Sequence, residues 1–116
     1  MTKNFQEHTR AVSGSLRKFR SDMPEVMKGF GELAKSSLQD GVLDHKTKEL
    51  IALCLGVAGH CDACIGFHVQ ALVKAGATRA EVEEALGVAI YMGGGPSLMY
   101  AADALTAFEQ MSPASA

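Results

Sequence analysis

Apolar residues recur along the chain at intervals of three and four, and glycine and proline divide that rhythm into about six blocks. No run alternates Val, Ile and Thr in the period-two pattern of a strand, so the spacing predicts an all-α chain. The first block, roughly Asn4 to Arg20, carries Phe5, Val12, Leu16 and Phe19 at helical spacing, interrupted by Gly14. Asp22, with Glu25 three residues on, has the form of a capping box for a second helix, and Pro24 suits its first turn. Val26, Phe30, Leu33, Ala34 and Leu38 make the apolar stripe of that helix, and Gly41 is its expected stop.

The third block runs from Asp44 to Ala58. Its second half, from Ile51, is apolar on every side, the mark of a central helix. Gly59-His60 breaks it. A fourth helix is expected from Cys61 or Asp62 to Ala75, ending at Gly76. Thr78 and Glu81 form a second capping box, opening a fifth helix through Met92 with Val82, Ala85, Leu86, Ala89 and Ile90 on one face. Gly93-Gly94-Gly95-Pro96 ends it with a tight turn that brings the N-terminus of a sixth helix close to its surroundings. Leu98, Ala101, Ala102, Leu105 and Phe108 read as the core stripe of the sixth helix. Met99, Tyr100, Ala104 and Ala107 lie off it and are also apolar, which points to a subunit contact. The tail, Ser112 to Ala116, is expected to fray.

With 116 residues the chain is long enough for one domain, taken as residues 1–116, and 47% hydrophobic residues can fill its core. The formal net charge of -2, with basic residues scattered, removes the dense positive face that nucleic acid requires. No apolar run reaches the roughly 18 residues of a membrane span. The polar segment Met1 to Glu7 has no signal-peptide pattern, so a cytoplasmic location is expected.

Two of the three cysteines stand as Cys61-Asp62-Ala63-Cys64, and His68 follows four residues later. Spacings of three and four put all three side chains on one side of a helix, with neighbouring Cβ atoms roughly 5–6 Å apart. In a reducing compartment that pattern suggests redox or metal chemistry rather than a structural staple. The unpaired N–H groups and partial positive charge of a helix N-terminus favour a thiolate, the reactive form. Glu49 lies on the preceding helix. Folding helices three and four into a hairpin at Gly59-His60 sets it nearly opposite His68, where a carboxylate can orient the imidazole. A surface Glu49 paired with His45 or Lys46 is the competing reading. Cys61, Cys64 and His68 are also plausible zinc ligands, with His60 or Glu49 as a fourth, although three ligands on one short helix make tetrahedral closure awkward. Cys54 reads as an inert small hydrophobe, and His8 and His45 as ordinary surface histidines.

From Val42 onward the chain resembles the carboxymuconolactone decarboxylase superfamily, and within it the alkylhydroperoxidase-D-like branch. The resemblance rests on the run Leu43 to Leu53, on Cys61-Asp62-Ala63-Cys64 with His68, on Ala75-Gly76-Ala77-Thr78, and on Met92 to Pro96. Asp22-Met23-Pro24-Glu25 is similar too, and residues 42–110 carry the core of the match. The resemblance implies an all-α fold assembled into a homo-oligomer, a trimer or hexamer. It implies peroxide reduction with no cofactor and no metal. Cys64 would be the attacking thiolate, Cys61 the resolving cysteine, and His68 and Glu49 the groups that move protons. A lipoyl- or thioredoxin-like thiol protein would be the reductant. Ala63 departs from the pattern, because better-studied members carry a further histidine between the cysteines. The lactone decarboxylases lack the cysteine pair, so decarboxylation is not expected.

Overall fold

Six helices follow one another in the computed structural model, which describes residues 2–113. They are α1 (Phe5–Asp22), α2 (Pro24–Leu38), α3 (His45–Ala58), α4 (Asp62–Lys74), α5 (Arg79–Gly93) and α6 (Gly95–Met111), with no strand among the described residues. The outermost tail residues, from 114 on, lie outside the description. Ser112, expected to fray, is tied down instead: its hydroxyl and its N–H both donate to the Phe108 carbonyl.

The centre is a hairpin of α3 and α4, and its corner follows from backbone hydrogen bonding. Beyond the C-cap Gly59, His60 N–H donates to the Val57 carbonyl and Cys61 N–H to that of Gly56, satisfying two carbonyls at the end of α3. That closure requires a left-handed residue, and His60 supplies it at φ 56°. A non-glycine residue there costs roughly 1–2 kcal/mol. The His60 ring stacks on Tyr100 of α6, with centroids 4.7 Å apart, which offsets part of the cost. The far end of α4 closes in the same way, with Gly76 at φ 80°. There glycine carries no such penalty.

Leu53 and Val57 of α3 meet Ile65, Val69 and Leu72 of α4, with Val82 and Leu86 of α5 closing one side. Each of these fully buried side chains contributes about 1.5–3 kcal/mol. Phe5 of α1 caps the cluster from the α4 side. Close approach is possible there because Gly66 has no side chain: a Cβ on it would lie 2.6 Å from Thr9 Cγ2. Asn4 caps α1 and Asp44 caps α3, each accepting a backbone N–H three residues on, while Thr78 and Glu81 form the expected reciprocal box.

Four further expectations need correction. Asp22 does not cap α2. It remains in the last turn of α1, paired with Lys18, and the helix boundary falls at Met23 without a side-chain cap. Pro24 at the start of α2 has no N–H, so one donor fewer needs a partner. Gly14 does not interrupt α1. The core face of α6 is Ser97, Ala101, Ala104 and Ala107, whereas Leu98 and Ala102 are exposed and Leu105 and Phe108 half-buried. Small side chains let α6 approach α4 and α5 closely, which turns the larger ones to the flank. Finally, α3 is central but not enclosed. Ile51 and Leu55 face an open apolar groove of about 490 Å³ between α3 and α5.

Candidate functional site

Cys61 occupies the corner of the hairpin. It ends the closing motif of α3 and is also the N-cap of α4, its Sγ accepting the Cys64 N–H at 3.1 Å. Cys61 and Cys64 are joined in a disulfide, with Cα atoms 5.2 Å apart. A cap residue and the third residue of the first turn are close enough for this bond without distorting the helix. The pair therefore sits where the α4 backbone presents its unpaired N–H groups. Gly56 on α3 makes room for it: a Cβ there would lie 3.0 Å from Cys64 Cβ.

One turn further along α4, His68 is partly exposed, and its Nδ1 lies 2.6 Å from Oε1 of Glu49. The structure thus brings Glu49 and His68 together across the α3–α4 hairpin. Glu49 is only 3% exposed, so it is not a surface residue. An ionised carboxylate only accepts, so His68 donates through Nδ1 and, when neutral, presents the Nε2 lone pair as its free basic atom. A buried carboxylate without partners would be strongly unfavourable, and the imidazole N–H supplies one.

His45 is not the ordinary surface histidine expected. Half-buried at the start of α3, it places Nδ1 2.6 Å from the Leu38 carbonyl oxygen and Nε2 3.5 Å from Glu49 Oε2. The competing reading of Glu49 therefore holds in one respect, since His45 does pair with it. Lys46 does not: its ammonium lies 2.8 Å from Glu81 of α5. The signal for His45 was present in the sequence, as it precedes Glu49 by one helical turn.

A second feature at the corner had no local signal. Lys3, ahead of α1, reaches Asp62 at 3.1 Å and Asp103 at 2.8 Å, and its ammonium lies 5.1 Å from the centre of the Tyr100 ring. Asp103, with Asp62, holds the Lys3 ammonium above its ordinary range. Gln110 latches the same segment, accepting the Phe5 N–H and donating to the Lys3 carbonyl. Asp62 follows Cys61 directly, so Lys3 balances a negative charge set beside the cysteine pair. The turn at Gly93 to Pro96 contributes indirectly: it starts α6, whose Tyr100 and Asp103 face this corner.

Cys54 lies apart, lining the α3–α5 groove. Its S–H donates to the Ala85 carbonyl at 3.2 Å, and burial pushes its thiol up from the ordinary range, so it stays protonated and unreactive at neutral pH. Among the described residues no group of three or more His, Cys, Asp or Glu side chains is gathered in a metal-holding arrangement. Of the zinc ligands considered from the sequence, His60 turns its ring to Tyr100 and Glu49 turns to the two histidines.

Fold and site define an all-helical protein with a cysteine pair at a helix N-terminus, beside a buried glutamate–histidine pair. The chain belongs to the carboxymuconolactone decarboxylase family, whose sequence profile matches residues 24–107. It is similar to a carboxymuconolactone decarboxylase family protein from Legionella pneumophila, with 59% identity, a TM-score of 0.93, and coverage of 94% of this chain and 97% of that one. It is also similar to a Thermotoga maritima protein, with 32% identity, a TM-score of 0.79, and coverage of 92% and 91%. An uncharacterized protein of Cupriavidus necator is 35% identical over 111 residues, which is 96% of this chain and 98% of the relative. Among the described residues no helix is long and apolar enough to cross a membrane.

Proposed function

We propose that the chain is a thiol-dependent hydroperoxide reductase. The observation that carries this reading is the 2.6 Å contact between buried Glu49 and His68, one turn beyond a cysteine pair at a helix N-terminus. A Thermotoga maritima member of the family, suggested to act in an antioxidative response, adds support.

In the reduced protein, His68 Nε2 takes the proton of Cys64 Sγ, and the thiolate attacks the outer peroxide oxygen. The O–O bond breaks, Cys64 becomes a sulfenic acid, and the departing alkoxide takes the proton back as an alcohol. Cys61 then attacks Cys64 Sγ, the hydroxyl leaves as water, and the disulfide forms. One peroxide has accepted two electrons from two thiols. A dithiol reductant, lipoyl- or thioredoxin-like, returns the pair to its thiol form by exchange. Glu49 holds the Nδ1–H of His68, so that Nε2 is the atom that takes up the proton and returns it.

We also infer that the protein works as a homo-oligomer, a trimer or hexamer. Support comes from the large apolar side chains left exposed on α2, along the α3–α5 groove and at Leu98 and Met99 of α6.

Alkylation and mass spectrometry before and after one equivalent of hydrogen peroxide test the chemistry. The expected result is loss of two of the three thiols, mapped to Cys61 and Cys64 within seconds to minutes, with Cys54 untouched. Cys64→Ser should abolish turnover, and Cys61→Ser should stop at a sulfenic acid. Thiols that stay unreactive in fully reduced protein would overturn the reading.

A further inference from the structure

Glu49 contacts two histidines, and the mechanism above uses only one. The Leu38 carbonyl can only accept a hydrogen bond, so the His45 proton facing it, 2.6 Å away, sits on Nδ1. Glu49 Oε1 is already occupied by the N–H of His68. That leaves Nε2 of His45 facing Oε2 of Glu49 across 3.5 Å. Without a further proton, two lone pairs would confront each other there. One proton shared between the two groups makes the contact attractive, at a separation typical of an ion pair rather than a short hydrogen bond. The two ends of this array differ in surroundings. His68 stands one turn from Cys64, whereas the His45 side chain is 41% exposed and borders a shallow hollow of about 320 Å³ with Lys35 and Leu38 of α2.

We propose that His45 is a positioning residue for the cysteine chemistry: it holds the second oxygen of Glu49 and, through one shared proton exchanged with solvent, sets the charge that Glu49 turns toward His68. With the proton present, Glu49 is partly neutralised. With it absent, the full carboxylate faces the His68 N–H and strengthens Nε2 as the acceptor of the Cys64 proton. The array His45–Glu49–His68 thus couples the reactivity of Cys64 to solvent pH through the α2–α3 corner, over and above the ionisation of the thiol itself. Other charged groups around His45 are Asp40, which accepts its backbone N–H, Asp44 and Lys46 beside it in sequence, Lys48, and Lys35 across the hollow. All of these persist when His45 alone is replaced. The assignment deepens the hydroperoxide reductase reading and rests on its choice of Cys64 and His68.

The test is the pH dependence of Cys64 alkylation by iodoacetamide in the fully reduced protein, resolved by peptide mass spectrometry. No peroxide enters, so failure of this coupling and failure of the peroxidase reading are separate results. His45→Gln keeps a side chain able to hydrogen-bond but not to titrate. It should show one inflection fewer than the natural protein, because the proton shared across the His45–Glu49 contact is lost with the imidazole. His45→Ala should lose the same inflection and regain it with added imidazole. A His45→Gln curve with every inflection of the natural protein would overturn the proposal. So would a uniform loss of rate without change of shape, the mark of a merely structural role. If His45→Ala does not fold, His45→Gln decides alone.

Discussion

Helices α2 and α4 carry apolar residues at the same helical spacing, open with an acidic residue in the first turn and end near a lysine, yet they reach opposite environments. In α4, Ile65, Val69 and Leu72 are fully buried and Gly66 packs against α1. In α2 no residue is buried: Val26, Phe30 and Leu33 remain 53%, 65% and 62% exposed. An apolar stripe shows that a face is meant to leave water. It does not show whether the chain itself provides the cover. For α4, helices on three sides do so. For α2 a second copy of the chain is the proposed cover.

The largest effect expected from this contrast is on activity. Glu49→Ala removes the carboxylate behind His68 and should lower peroxide turnover by about 10²-fold or more, the scale of positioned acid–base groups. Steady-state kinetics measures it, and unchanged turnover would detach the relay from the chemistry. Next comes Leu72→Ala in α4, which should cost about 2–5 kcal/mol in urea unfolding, because the cavity is enclosed by core on all sides. Gly66→Ala should cost about 1–3 kcal/mol, since the new methyl group collides with Thr9 where α1 and α4 meet.

Phe30→Ser in α2 sharpens the comparison from the other side. It should leave the stability of the isolated monomer within about 0.5 kcal/mol while lowering the assembled mass seen by light scattering. A large stability loss in a variant that is monomeric either way would show that α2 is covered within its own chain. The smallest effect concerns the Lys46–Glu81 bridge between α3 and α5, 2.8 Å long. Lys46, with the backbone N–H of Thr78, holds the Glu81 carboxyl below its ordinary 4.5, so its contribution is present above that value and lost as pH falls through the depressed one. Glu81 raises Lys46 above 10.5, so that partner's contribution is lost as pH rises through the elevated value. Melting curves of Glu81→Gln should fall slightly below those of the natural protein near neutral pH and converge with them in acid.

Much of this protein was legible along the chain because it depends on neighbours in sequence. Glycine and proline placed the breaks, and Thr78 with Glu81 announced a cap that forms. The spacing set Cys64 and His68 on one face of α4, with Cys61 at its N-cap, whatever packs against it. Even Glu49 could be levelled with His68, because a tight corner at Gly59-His60 leaves an antiparallel hairpin little freedom. The misreadings concern faces and ends. The core stripe of α6 was read correctly at Ala101, but Ala104 and Ala107 share its core face in place of Leu98 and Ala102, since close helix approach favours small side chains over the most apolar stripe. Asp22 had the pattern of a cap, but α1 continued through it.

What the sequence by itself determined is therefore the set of helices, the Thr78–Glu81 cap, and the cysteine pair at the head of α4, all of which depend on residues within about one turn of each other. The tertiary structure alone decided which faces are covered, that Lys3 reaches Asp62 and Asp103 across most of the chain, and that Glu49 is buried. Those outcomes depend on how closely helices approach, and glycines and alanines at the crossings set that distance.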